Sequence, residues 1–283
     1  MTTRAQAFLW RRLAAHAVGA GVRLVRGNHR TPASVRARYD AARRSLLYRL
    51  ERLDWDQYTR LPSDHYGFIL IDGRVVWGSL RTIRDRMLDR LCAVTAGYAR
   101  DGATIVEFGS GDGRNLLFLQ RRFPKVSFVG LELSEVSVEV SRRAAERFAA
   151  RNVTFHVADV CGDVPALPQR EEVVLSFSCF ALEMMPRIFP RAVDTMARAS
   201  SVGLVFLEPV PELWRRDLRG LVSRLRVLQL DRLRGLPLVV QGLVRSGSWI
   251  LEAMARSGLG HNPLNEMCEL RLRRVTPGVD SDG

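Results

Sequence analysis

Lysine is almost absent from this chain of 283 residues: Lys125 stands alone, and arginine supplies the rest of the 43 basic side chains. Long apolar runs are missing too. No uncharged stretch reaches the roughly 18 residues that a spanning helix needs, which excludes a transmembrane segment. Cysteine is sparse, and Cys92, Cys161, Cys179 and Cys268 lie far apart. They form no CxxC pair, no other zinc spacing and no dense disulfide framework, so a reducing compartment, the cytoplasm, is expected. No aspartate cluster suggests a divalent metal, and no internal repeat or low-complexity tract appears.

What is present is enough to fold. Apolar residues are 47% and charged residues 26%, which excludes a wholly disordered chain and allows one large domain with an elaboration. The net charge of +13 is unevenly spread. Residues 1–50 hold eleven arginines against one acid, Asp40, and Trp214 to Arg245 holds eight against Asp217 and Asp231. Basic ends suit nucleic acid, anionic lipid or an acidic partner, and charge alone does not choose among them.

Residues 5–26 have helical spacing, with Phe8, Leu9, Leu13, Val18, Val22 and Val25 sharing one face. Arg11-Arg12 breaks the apolar core that a secretory signal would need. The helix either docks on the main domain or lies on an anionic membrane surface. A linker is expected at Asn28–Pro32 and a second basic helix at 33–52. Residues 66–78 read as a β-hairpin, with Asp72-Gly73 suited to a tight turn. Ser79 caps a helix to about Ala99 that buries Ile83, Met87, Leu91 and Val94.

From Thr104 the pattern alternates. Strands are expected at 104–108, 126–131, 153–157, 172–177 and 203–207, and helices at 114–122, 134–150 and 187–199. Such alternation makes a parallel sheet with helices on both faces. Residues 211–256 read as mostly helical, with Leu213, Leu218, Leu221, Leu225 and Leu228 as a buried stripe. A last strand follows at 268–273.

The segment Glu107-Phe-Gly109-Ser110-Gly111-Asp-Gly113-Arg-Asn115 joins a strand to a helix. Its glycines permit a sharp exit, a close ligand approach and tight helix packing. The spacing misses the dinucleotide fingerprint by one residue, and no Walker Gly-Lys-Ser/Thr follows. It does resemble E-x-G-x-G-x-G, motif I of the class I S-adenosylmethionine-dependent methyltransferases. Glu132-Leu133 ends the second strand, Asp159-Val160 the third, and Phe177-Ser178 the fourth. The resemblance covers about Ala103 to Pro209. It implies a Rossmann-like, seven-stranded, mostly parallel α/β sheet. Residues 1–99 would then be a helical and hairpin cap, and 211–256 a helical insertion in the domain 100–283. It implies S-adenosylmethionine as cofactor, held by Glu107, Gly109, Ser110, Gly111, Gly113, Asn115, Glu132, Leu133, Asp159, Val160, Phe177 and Ser178. In the family the acid at Glu132 meets the ribose and that at Asp159 the adenine.

An oxygen acceptor usually needs a base. Candidates at the carboxyl edge of the sheet are His261, Glu208 and Glu183, with His261 first because imidazole titrates near neutrality. Each has a purely structural alternative. His65 and Tyr66 precede the hairpin and are within reach of an acceptor pocket. Trp214 or Trp249 can stack on a ring, and Arg215, Arg216, Arg219, Arg224 and Arg226 can meet an acidic group. Cys179 reads as an inert buried thiol, and the Asn/Asp-Pro-Pro-aromatic signature of base-methylating enzymes is missing. The expectation is methyl transfer to a small molecule or sugar, on oxygen. The alternatives are an RNA-modifying enzyme using the arginine-rich ends and a non-catalytic membrane-surface or binding protein.

Overall fold

Near-continuous apolar runs, buried on both faces, build the central sheet of the computed structural model, which describes residues 3–26, 32–60, 65–162, 164, 167–169, 172–185 and 189–275. Five parallel strands form first: β3 (Thr104–Phe108), β4 (Ser127–Glu132), β5 (Val153–Val157), β6 (Val173–Cys179) and β7 (Gly203–Pro209). β8 (Trp249–Arg256) and β9 (Met267–Arg274) complete it antiparallel, in the order β5-β4-β3-β6-β7-β9-β8. Successive side chains point to opposite faces, so each face feeds its own core. Ile105, Phe128, Phe155, Leu175 and Val205 belong to one cluster. Val106, Phe108, Val129, Leu131 and Phe206 belong to the other.

Helices cover both faces. α4 (Leu80–Ala96), α5 (Arg114–Arg122) and α6 (Glu135–Arg147) pack on the first cluster, and α7 (Phe189–Ala199), α8 (Leu218–Leu230) and α9 (Leu236–Arg245) on the second. α4 begins where the Ser79 side chain accepts the Arg81 N–H and buries Ile83, Met87, Leu91 and Val94, as its spacing requires. The expected linker residues 28–31, and residues 186–188 at the start of α7, lie outside the described residues.

The segment before β3 is not a separate layer. α1 (Thr3–Arg26) lies against α8, α2 (Pro32–Arg49) against α6, and α3 (Trp55–Arg60) against α5. Leu46, Leu50 and Tyr58 join the same core as the sheet. The hairpin of β1 (Tyr66–Ile71) and β2 (Arg74–Ser79) turns at Asp72 and Gly73, both with positive φ. It is tied to the loop before β9: the Leu70 N–H donates to the Gly260 carbonyl at 2.8 Å, and the Gly260 N–H returns to Leu70 at 3.0 Å.

Three sequence expectations need correction. Residues 249–256 are not helical but form β8 at the sheet edge, and they supply the seventh strand. On α8 the buried side chains are Arg219, Val222, Ser223 and Val227, whereas Leu221 is 51% exposed. On α1, Leu9 is buried but Val18 is 69% exposed, because nine residues of helix turn it to the opposite side.

Leu9 is wholly buried in one cluster with Val222 and Leu264. Leu9→Ala should therefore destabilise the full chain by about 2–5 kcal/mol, read from urea denaturation. An unchanged midpoint would mean that α1 does not contribute to the native core.

Candidate active site

The glycine loop leaves β3 through three residues with positive φ: Gly109 at 75°, Gly111 at 57° and Gly113 at 75°. Side chains rarely adopt that conformation, which accounts for the glycines. A Cβ on Gly113 would lie 2.6 Å from the Phe155 ring and 2.9 Å from Ser141, so helix and sheet need the glycine for contact. At Gly111, by contrast, the nearest atom to a Cβ is the Arg43 guanidinium at 4.0 Å. The N–H groups of Gly109 and Ser110 both donate to the Leu131 carbonyl, at 2.8 and 3.0 Å, which fixes the loop beside β4.

Three acids stand at neighbouring strand ends. Glu132 registers with Val157, so Asp159 lies just past the end of the adjacent strand. The Glu132 carboxylate accepts the Gly111 N–H at 2.9 Å and the Ser134 N–H at 2.9 Å. Burial raises its pKa. Asp159 is exposed, and its carboxylate accepts the Cys161 N–H at 2.9 Å. Leu133 is half-buried, and Val160 is buried in the second core cluster.

Glu107 is 1% exposed. Its Oε1 accepts the Asn115 side-chain N–H at 2.6 Å, and its Oε2 has no partner among the described residues. Burial pushes its pKa up to about 8, against the opposing pull of Asn115 and Arg84. Arg84, on α4, carries no sequence signal of its own. It donates to the Thr59 carbonyl at 3.1 Å and to the Asn115 side-chain oxygen at 2.9 Å. A chain of polar contacts thus runs Thr59–Arg84–Asn115–Glu107.

The N-terminal helices close around the same loop. Asp112 pairs with Arg114 at 2.9 Å and Arg43 at 3.4 Å. Burial works against its charge, but Arg114, Arg43 and Arg84 together hold the carboxyl below its usual range. The buried Tyr58 hydroxyl donates to the Asp112 carbonyl, and the Ser134 hydroxyl donates to Asp40. Asp40, Arg43, Tyr58 and Arg84 were not legible beforehand. Each reaches the loop from more than twenty residues away, and the arginines are two of many.

The candidate bases separate by their partners. Glu208 accepts the N–H groups of Ala181, Leu182 and Glu183 at 2.9, 3.1 and 3.3 Å, and burial raises its pKa to about 7. Glu183 pairs with Arg232 and accepts the Asn265 side-chain N–H at 3.0 Å. Both carboxylates are occupied in holding the turn after β6. His261 is different: its Nε2 is buried and without a partner among the described residues. Burial, with the Arg84 charge, lowers its pKa to about 4. Phe177 is packed in the core, and the buried Ser178 hydroxyl lies toward the Glu208 carboxylate, whose charged form it favours. Burial, with Glu107 and Glu208 nearby, raises the Cys179 thiol strongly, so it stays protonated.

Other expected contacts are excluded. Trp214 is 2% exposed and donates to the Glu266 carbonyl at 3.0 Å. Trp249 is 3% exposed beneath Arg274. Neither ring is open for stacking. Arg219 is buried against Glu266 at 2.7 Å and offers no surface charge.

An adenosyl cofactor fits these residues on physical grounds. A Cβ at Gly111 would meet nothing nearer than the Arg43 guanidinium at 4.0 Å, and the Glu107 Oε2 and Ser110 hydroxyl are buried polar atoms still lacking partners among the described residues. Buried polar groups of that kind call for a ligand or water.

Residues 105–203 match the family model of a methyltransferase domain. That match spans about a third of the chain and contains the glycine loop and the strand ends that carry Glu132 and Asp159. Solved structures share the fold at low identity. Magnesium protoporphyrin IX methyltransferase from Synechocystis PCC 6803 is 14% identical, with TM-score 0.58 over 87% of this chain and 100% of that one. The 4+2 cyclase SpnF is 16% identical, with TM-score 0.59 over 86% and 97%. Geranyl diphosphate C-methyltransferase from Streptomyces coelicolor A3(2) is 12% identical, with TM-score 0.53 over 70% and 78%.

Glu107 gives a sign-definite pH effect. Its folded pKa of about 8 lies above the ordinary 4.5, so the folded chain keeps a proton that the unfolded chain releases. Stability therefore falls as pH rises from 4.5 towards 8. Glu107→Gln should raise the melting temperature at pH 8, with a gain on the order of a few kcal/mol, and change it little near pH 4.5. Equal shifts at the two pH values would show that the carboxyl is not held neutral.

Proposed function

We propose that this protein transfers a methyl group from S-adenosylmethionine to an oxygen of a small organic or sugar acceptor. The observation that carries the reading is the convergence of Glu107, Glu132 and Asp159 at adjacent strand ends around a loop of three positive-φ glycines. When bound, the cofactor supplies an electrophilic methyl group. The chain supplies positioning, which is the larger part of catalysis in an in-line displacement. Gly109, Gly111 and Gly113 admit the adenosyl group to the backbone. Glu132 and Asp159 orient its ribose and adenine, exchanging their present N–H partners for ligand hydrogens. Ser110, Asn115, Leu133, Val160, Phe177 and Ser178 complete the walls.

On the acceptor side, His261 Nε2 takes the hydroxyl proton. Burial, with the Arg84 charge, lowers the His261 pKa to about 4, so the ring is neutral at pH 7 but a weaker base than the near-neutral imidazole expected from the sequence. Its support as the base is the buried Nε2 without a partner among the described residues. Glu208 and Glu183 hold the adjoining turn instead. The choice of oxygen rests on His261, since the Streptomyces neighbour is named a C-methyltransferase. A small acceptor is supported by neighbours named for geranyl diphosphate and magnesium protoporphyrin IX. Trp214 and Trp249 are buried and take no part in stacking on an acceptor. We read residues 1–99 as a cap on the domain 100–283. Four free cysteines support a reducing, cytoplasmic setting.

Calorimetry should show S-adenosylmethionine binding, weakened roughly tenfold or more by Glu132→Ala, the scale of a lost charged hydrogen bond. Equal affinity in that variant would remove the ribose role. His261→Asn should lower turnover by roughly 100-fold or more while leaving cofactor affinity unchanged. In the wild type the acid limb of the rate should fall near pH 4 rather than 6.5. Unchanged turnover would eliminate His261 as the base. Acceptors are found by mass spectrometry, as metabolites that gain one methylene only when enzyme is present.

A further inference from the structure

Methyl transfer leaves the outward side of α1 unexplained. Arg4, Ala7, Arg11, Ala15 and Val18 recur three and four residues apart, so they form one stripe, and all five are exposed. Leu9 lies on the opposite side, buried with Val222 of α8. Trp10, 60% exposed, flanks the stripe. On the other flank, Arg4, Arg11 and Arg12 line an open groove of roughly 540 Å³ together with Phe8 and Phe68.

The groove continues into the hairpin. Phe8 meets Phe68 at 4.7 Å between ring centres, and Phe68 meets the edge of Trp77 at 5.2 Å. Trp77 is opposite Phe68 in the register, and Tyr66 is two residues along the same face. Both are largely exposed, at 64% and 60%. The helix contains no acid, and among the described residues no carboxylate pairs with Arg4, Arg11 or Arg12. Arg12 instead lies over the Phe8 ring at 5.6 Å.

We propose that this face is a docking surface for an anionic phospholipid bilayer. The three guanidiniums match the charge of phosphate headgroups and present planar donors to them. Trp10, Tyr66 and Trp77 have the apolar body and polar tip that settle at the headgroup level. Between the arginines the stripe carries only Ala7, Ala15 and Val18, short enough to let the helix lie close to the surface. Single-stranded RNA, which stacks its bases on exposed aromatic rings, is the competing occupant that the test below separates from lipid.

The contact is shallow by construction. The face that an amphipathic helix would sink into lipid is already used against α8, so attachment depends on charge and interfacial aromatics. It is reversible and sensitive to salt. Each arginine near an anionic surface contributes about 1 kcal/mol, or about fivefold in partitioning. The hairpin, hydrogen-bonded to Gly260, places this face on the same substructure that carries His261.

The test is co-sedimentation of the full chain with phosphatidylcholine vesicles, with and without phosphatidylglycerol. Binding is expected only with phosphatidylglycerol, rising with its fraction and falling as salt is added. Arg4→Ala with Arg11→Ala should weaken it by about an order of magnitude or more, with circular dichroism and S-adenosylmethionine binding unchanged. Equal binding to neutral vesicles, or an unaltered partition in the double variant, would overturn the proposal. So would loss of single-stranded RNA binding in that variant while vesicle binding persists. Should the variant misfold, the lipid-charge dependence of the wild type decides alone: a flat response refutes the assignment.

Discussion

One aromatic ring holds the cofactor loop in place. Phe155, on β5, fills the space that side chains at Gly113 and Gly130 would require, with the ring 2.6 and 2.5 Å from their absent Cβ positions. Because both positions are bare, the N-terminus of α5 closes onto β4, and the turn between β3 and α5 has a single course. Gly109 and Ser110 then reach the Leu131 carbonyl, and Gly111 reaches Glu132. Close packing leaves no slack for an added methyl group at either glycine. The site is a consequence of this contact, since each acid's position follows from where the strands end relative to the loop.

The buried carboxylates at that edge sort themselves by whether they are paired. Burying a charge is costly unless hydrogen bonds or an opposite charge replace water. Glu266 has Arg219, Glu183 has Arg232 and Asn265, and Glu208 has three backbone N–H groups. Those groups pin the loops after β6 and before β9. Among the described residues, Glu107 has one amide partner and one oxygen without any, and the His261 Nε2 has none. Incomplete satisfaction is tolerated where a ligand completes it, which makes these two the informative members of the set. Arg84 lies within electrostatic reach of both and lowers both pKa values, so one positive charge acts on the buried carboxyl and on the buried imidazole.

Legibility in the sequence follows the range of the interaction. The glycine loop and the acids at Glu132 and Asp159 were readable because their constraint is local: a strand, a turn of required φ, a helix. The hairpin and the Ser79 cap were readable for the same reason. β8 was not. Trp249-Ile-Leu-Glu-Ala-Met-Ala-Arg256 is composed largely of good helix formers, and only pairing along β9 makes it extended. The α8 stripe failed similarly, because Arg219 is drawn inward by Glu266, forty-seven residues away. Asp40, Arg43, Tyr58 and Arg84 are long-range contacts in a chain where arginine is too common to stand out.

The residues that match a family model and the residues around His261 belong to different parts of the chain. The matched residues 105–203 contain the loop and all three acids. His261 lies beyond them, and Arg84, Arg43 and Tyr58 lie before them. The two flanking segments meet in space, since Leu70 bonds to Gly260 and Leu9 packs with Leu264. A common cofactor crevice can therefore stay constant while the hairpin and the loop of residues 258–266 vary as a unit. The same sheet, at 12–16% identity, is found in proteins named for a porphyrin, a prenyl diphosphate and a cyclisation, so the fold alone does not fix the reaction.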